Sequence, residues 1–239
     1  ELTEEIAEIL RAQPVITTAT DLNDKFAVDV FAKKNGCFIS DMELAKEISA
    51  ALLAGKEVGF VSDFPWLGEI PDELKLCQKE DEEKPEIGIC VTTGYLEHPF
   101  VHTLYLIPRV ITTGLGCKKG TDKETVESVV RRACDELLIP SVAMEQVASI
   151  DLKKEEAGIL EYCKERKIPF ITYTAEELQE VEGTYASSQF VENVTGVDNV
   201  CERAALLGSS KDGKGRLIQR KYAKDGVTVA MKKWSVNFE

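Results

Sequence analysis

Basic residues, histidine and aromatics are all scarce in this chain of 239 residues. Against 42 Asp and Glu stand only 29 Lys and Arg, a formal net charge of -13, so the long-range field repels a phosphate backbone. No basic stripe interleaved with aromatics offsets this, and a nucleic-acid partner is not expected. Apolar runs stay short of the ~18 residues that a membrane span needs. No basic n-region with an apolar h-region opens the chain, so neither a membrane partner nor a secretory signal is expected. The seven cysteines, at 37, 77, 90, 117, 134, 163 and 201, include no Cys-x-x-Cys pair, and there are only two histidines. Such spacing offers neither a zinc site nor a disulfide framework, and implies a reducing, cytoplasmic setting. His98 and His102 are four apart, but Pro99 between them breaks a helical pair. Both are read as structural, and no metal site is expected.

What is present is an ordinary globular composition, 44% apolar and 30% charged, with the acidic excess unevenly placed. Residues 1–108 hold 9 Lys and Arg against 21 Asp and Glu, whereas residues 109–239 hold 20 against 21. Only the second part has lysines enough to hold a small polyanion. Apolar spacing predicts a helix over 2–12, then a short buried strand in PVITTATD ending in the polar cluster Thr17, Thr18, Thr20 and Asp21. Strand ends of this kind bind ligands in α/β proteins, and they also cap helices and form turns. DMELAKEISAALLAG reads as a helix capped by Asp41, EVGFVSD as a strand, and the acidic stretch from Pro65 to Pro85 as solvated surface. PEIGICVTT and TLYLIPRVITTGLG run apolar in strand-like fashion.

Beyond Gly120 the period becomes helical, with Thr121 and Glu124 spaced as a capping box and Val126, Val129, Val130, Ala133, Leu137 and Leu138 inward. QVASI and IPFITY read as strands flanking the amphipathic helix LKKEEAGILEYCKERK. Short helices are expected in AEELQEV, SQFVENVTG and NVCERAALLG. Asp225-Gly226 then turns a terminal hairpin. The fold class is therefore α/β. A mixed sheet with flanking helices forms a C-terminal α/β domain at 109–239, preceded by the end of an N-terminal α/β domain at 1–40 and a small middle acidic region at 41–108.

The stretch GLGCKKGT, residues 114–121, carries the chemistry question, because three glycines and two lysines sit where a strand hands over to a helix. A dinucleotide site would want G-x-G-x-x-G, which Gly114, Gly116 and Gly120 miss by one residue, with no acidic residue ending a second strand about 20 positions on. A P-loop also fails, since only three residues separate Gly116 from Gly120 and no lysine precedes Thr121. What remains is a set of backbone amides at a helix start beside Lys118 and Lys119, suited to carboxylates as well as phosphates. The plainer alternative is a tight turn with solvated lysines, and both stay open at this level.

GLGCKKGT after LIPRV, then VASIDLKKEEAGI, SSQFVENVTGVDNVCERAALL and VTVAM, resemble the ordered motifs of the cobalamin biosynthesis protein G family. ELTEEIA and AQPVITTATD resemble the end of that family's amino-terminal domain, so the likeness runs from end to end. The resemblance implies hydrolysis of cobalt-precorrin-5A, opening its ring-A lactone and releasing acetaldehyde. The alternative it leaves is a non-catalytic carrier of a corrin intermediate. A tetrapyrrole substrate rich in carboxylates is implied, with cobalt carried by the substrate and no cofactor of the protein's own. Other enzymes of the pathway are candidate partners, and a homodimer is left open.

On that resemblance Gly114, Gly116, Cys117, Lys118, Lys119 and Thr121 are candidates to bind substrate carboxylates, together with Ser149, Ser187, Ser188, Thr17, Thr18 and Asp21. Cys117 has no histidine near it in sequence to activate it, so packing is the expected use of its thiol. Lys153 and Glu156, three apart, and Glu202, on an otherwise apolar helix, are the candidate catalytic residues for steadying an oxyanion and moving protons. A surface ion pair and a solvated glutamate are the plainer readings of the same residues.

Overall fold

Two five-stranded mixed sheets carry the chain, and the computed structural model describes residues 26–78, 81–94, 98–208 and 215–238. The helix expected over 2–12 and the strand with Thr17, Thr18 and Asp21 lie outside the described residues. In the first sheet, α1 (Val28–Lys34) and β1 (Cys37–Ile39) lead into α2 (Met42–Leu53). The strands β2 (Val58–Ser62), β3 (Leu74–Leu76), β4 (Ile87–Val91) and β5 (His102–Pro108) follow, in the order β1-β5-β4-β2-β3. All neighbours are parallel except β1, which runs against β5. Residues 28–39, assigned from sequence to an N-terminal domain, thus contribute an edge strand to this sheet. Asp41 caps α2 as expected, accepting from the amides of Glu43 and Leu44, and Ala45, Ile48 and Leu52 are buried.

The stretch 65–85 is not all solvated surface. Leu74–Leu76 extends the sheet beside β2. Trp66 stacks on Phe31 with ring centroids 5.2 Å apart, and its backbone bridges to Phe238. An acidic average concealed the few apolar residues that anchor it. Likewise the single apolar run TLYLIPRVITTGLG is two strands, since the chain leaves the first sheet at Pro108 and enters the second at Ile111.

The second sheet comprises β6 (Ile111–Cys117), β7 (Met144–Ile150), β8 (Phe170–Tyr173), β9 (Gly215–Lys224) and β10 (Val227–Trp234), ordered β8-β7-β6-β10-β9. The parallel strands β6, β7 and β8 are joined by α3 (Lys123–Glu136) and α4 (Ala157–Arg166), as βαβ units require. Then come α5 (Ala175–Gln179), α6 (Gln189–Thr195) and α7 (Val200–Leu207) before the hairpin. At its turn Asp225 and Gly226 both take positive φ, 51° and 80°, the conformation a two-residue turn of this type demands.

Strand alternation sorts the core onto two faces. Leu115, Val147, Val229 and Met231 pack in one cluster with Val126, Val129 and Val130 of α3. Their neighbours Ala148 and Ala230 fall on the opposite face, with Ala204 and Ala205 of α7. Small residues there let α7 lie almost on the sheet, and a Cβ at Gly114 would sit 1.9 Å from the Cys201 carbonyl oxygen.

Two helix starts differ from expectation. Asp122, not Thr121, caps α3 by accepting from the Thr125 amide at 2.7 Å, because the Thr121 hydroxyl donates back to the Lys118 carbonyl. Leu138, expected inward, lies past the helix end at φ 56° and is exposed. Residues 151–153 form a separate 3-10 turn, so α4 begins only after Glu156. Among the described residues no helix is long and apolar enough to cross a membrane.

Candidate functional site

Gly114 and Gly116, expected in a loop, are strand residues, paired with Ala230 and Thr228 of β10. Gly116 lines the cavity described below, whereas Gly114 does not and serves the close approach of α7 described above. The true loop is Lys118–Asp122, and three of its amides are committed inside the protein. Lys118 N donates to the Gly226 carbonyl at 3.0 Å and Thr121 N to the Lys118 carbonyl at 3.3 Å. Gly120 N donates to Glu156 Oε1 at 2.6 Å, so the loop does hold an anion, the chain's own carboxylate. Gly158 makes this possible, since a Cβ there would lie 2.2 Å from the Thr121 carbonyl oxygen. The bare backbone lets the start of α4 close onto the loop.

The other oxygen of Glu156 takes Lys153 Nζ at 2.8 Å, with the two side chains 10% and 17% exposed. The pair spans the 3-10 turn and the cap of α4 rather than sharing a face of a helix. Burial alone would raise the Glu156 carboxyl, but hydrogen bonds from Lys153 and the Gly120 amide outweigh it and hold the group below its ordinary value. A depressed carboxylate adds stability above its unfolded pKa of about 4.3, and that contribution vanishes as pH falls through the folded value. In urea titrations the stability gap between wild type and Glu156→Gln should be flat above about pH 5 and shrink below about pH 4. A gap independent of pH would mean that the ion pair contributes nothing.

Lys153 lines a cavity of about 690 Å³ at the carboxyl ends of β6 and β7, where α/β sheets commonly bind ligands. Ile150, Val191, Val194 and Val200 give it apolar walls, and Lys118, Lys119, Lys153, Lys221 and Lys224 stand around it. The single acidic group among its lining residues, Asp225, lies 3.7 Å from Arg132. Cys117 and Cys201 also line it; burial raises both thiols, Cys201 to about 11, so neither is a ready nucleophile.

The remaining candidates separate clearly. Ser188 lines the cavity and caps α6, whereas Ser187 is exposed and does not line it. Ser149 is fully buried, its hydroxyl donating to the Leu115 carbonyl at 2.7 Å, and it ties β7 to β6 rather than facing a ligand. Thr121 holds the loop. Glu202 is fully buried away from the cavity lining, and its Oε1 accepts the Lys221 amide at 2.8 Å. The Tyr105 hydroxyl meets His98 Nδ1 at 2.6 Å. Sequence reasoning missed Lys221, Lys224, Val191 and Val194. The lysines flanking Asp225-Gly226 were visible, but only the pairing of β10 with β6 carries that turn beside the Lys118 loop.

Fold and cavity define a mixed α/β protein of two sheets with a lysine-rimmed apolar cleft at the strand ends of the second. Two family models match it, one described as cobalamin biosynthesis central region over residues 26–108 and one as cobalamin synthesis G C-terminus over residues 111–232. Their limits fall on the two sheets, and the chain belongs to the cobalamin biosynthesis protein G family. It is 31% identical to a protein of Salmonella typhimurium named cobalt-precorrin-5A hydrolase, over 96% of this chain and 66% of that protein. A Priestia megaterium protein of the same name is 30% identical, over 97% of this chain and 65% of the relative. The chain thus spans just under two thirds of the length of these relatives. Its similarity to protein CobE of Sinorhizobium sp is 30% identity over 51% of this chain and 78% of CobE.

Proposed function

We propose that this chain acts in the hydrolysis of cobalt-precorrin-5A, opening the ring-A lactone and releasing acetaldehyde to give cobalt-precorrin-5B. The observation that carries this reading is about 30% identity, across nearly the whole chain, to relatives named for that reaction. The cavity supports it chemically. Apolar walls suit the face of a macrocycle, and a ring of ammonium groups suits its carboxylate arms. Water adds to the lactone carbonyl, the acyl C–O bond breaks, and a carboxylate and an alcohol result. The carbon bearing that alcohol leaves as acetaldehyde when its bond to the ring breaks, the electron pair staying on the macrocycle, which takes up a proton.

The first step builds negative charge on the carbonyl oxygen, and Lys153, fixed by Glu156 and facing the cavity, is the cation placed to steady it. Glu156 is a positioning residue, because its oxygens are already occupied by Lys153 and Gly120. Cobalt arrives with the substrate, and this reading invokes no resident cofactor. The seven free cysteines support the reading of a reducing, cytoplasmic setting. Other enzymes that supply or receive the corrin intermediate are its natural partners. The relatives' names favour catalysis over a carrier role. Incubating the purified protein with cobalt-precorrin-5A should yield acetaldehyde stoichiometric with cobalt-precorrin-5B. Tight binding with no acetaldehyde would overturn the assignment in favour of hand-over.

A further inference from the structure

The hairpin β9–β10 contains basic residues that take no part in the bond-breaking steps above. An edge strand such as β9 commonly carries lysines simply to discourage pairing with other chains, and such lysines face open water. Beside the Lys118–Lys119 loop, whose Lys118 N donates to the Gly226 carbonyl at 3.0 Å, Lys221 and Lys224 also line the cavity. Neither has an ion-pair partner within 4 Å among the described residues, and the same holds for Lys118 and Lys119. Four ammonium groups gathered about one apolar cavity, in a chain of net charge -13, make a local positive field that favours an anionic ligand there.

The strand is also pinned at Lys221. Glu202, fully buried on α7, accepts the Lys221 amide at 2.8 Å through Oε1. Its Oε2 accepts no hydrogen bond among the described residues and has Arg220 Nη1 at 3.9 Å. Arg220 in turn donates to the Thr184 carbonyl at 2.9 Å, tying the same strand to the segment before α6. A buried carboxylate spent on one main-chain amide of an edge strand fixes where the Lys221 side chain leaves the backbone.

We propose that Lys221 and Lys224 extend the carboxylate-binding rim from the Lys118–Lys119 loop along the hairpin, so that a flat polycarboxylate is held along that side of the cavity, and that Glu202 is the positioning residue for the hairpin rim. This rests on the tetrapyrrole reading for the ligand class, but it is tested by binding and not by turnover. The probe is uroporphyrin, an octacarboxylate porphyrin, titrated by fluorescence quenching at several salt concentrations, with its methyl ester as the uncharged control. Lys221→Ala/Lys224→Ala should weaken uroporphyrin about tenfold or more. It should also lower the slope of log K against log salt by about two, and leave the ester and the thermal midpoint unmoved.

Glu202→Ala should lose part of the affinity, while Glu202→Gln, whose amide oxygen still accepts the Lys221 N–H, should restore it. Wild-type binding by the double variant, or no uroporphyrin binding by the wild type, would overturn the hairpin rim. Equal affinities for Glu202→Ala and Glu202→Gln would overturn the positioning role. A wild type that binds uroporphyrin through these lysines yet releases no acetaldehyde from cobalt-precorrin-5A leaves the rim standing and removes only the hydrolase reading.

Discussion

Lys153→Met should lower kcat for acetaldehyde release by about a hundredfold, equivalent to about 2.7 kcal/mol of transition-state stabilisation. Among the described residues the ammonium is the one cavity lysine with an ion-pair partner, Nζ lying 2.8 Å from Oε2 of the mostly covered Glu156. A cation so fixed acts on developing charge without having to reorganise, whereas the exposed Lys118 and Lys119 must first be ordered. Methionine keeps most of the volume and removes the charge. Glu156 keeps its hydrogen bond from the Gly120 amide, so the loop stays in place and the fold should survive. Lys153→Arg should recover part of the rate, because a charge is restored in altered geometry. Normal turnover by Lys153→Met in a stopped assay would remove the proposed oxyanion stabiliser and leave the lysines a binding role alone.

The largest effect on stability is expected at Gly114. A side chain there has no room, since its Cβ would stand 1.9 Å from the Cys201 carbonyl oxygen and 2.8 Å from the Ala205 amide nitrogen. Both neighbours are helix backbone, which cannot rotate aside as a side chain can. Gly114→Val should therefore drive α7 off the sheet and cost about 3 kcal/mol or more, read from urea unfolding. Asn199, Val200 and Cys201 at the start of α7 line the cavity, so ligand binding should fall with it. Gly116→Ala is the internal control. Its Cβ meets only the Thr228 hydroxyl, at 2.6 Å, and a change of rotamer relieves that contact. Equal stabilities for the two variants would show that the close seating of α7 is not what Gly114 is for.

These glycines mark where sequence reasoning held and where it failed. Elements of both sheets were legible where they carry a strong local cue: the 3.6-residue spacing of Val126, Val129 and Val130, the turn at Asp225-Gly226, the cap at Asp41. The local meaning of GLGCKKGT was not. A glycine needed for a loop and a glycine needed because a helix lies against it look alike in one dimension, and the helix in question is nearly ninety residues away in the chain. Ser149 and Glu202 deceived for a related reason. Each is polar within an apolar setting, as a reacting group would be, but each satisfies one distant backbone group, the Leu115 carbonyl and the Lys221 amide.

By itself the sequence determined the class of fold, the order of the elements and the concentration of lysine in the second half, since these follow from local periodicity, turn chemistry and charge counting. Which anion the glycine loop holds, which lysines line one cavity and which carboxylates are already occupied were decided only by tertiary structure. Those outcomes depend on β10 pairing with β6 and on α4 and α7 closing over glycines, and contacts between residues so far apart in the chain have no local signature.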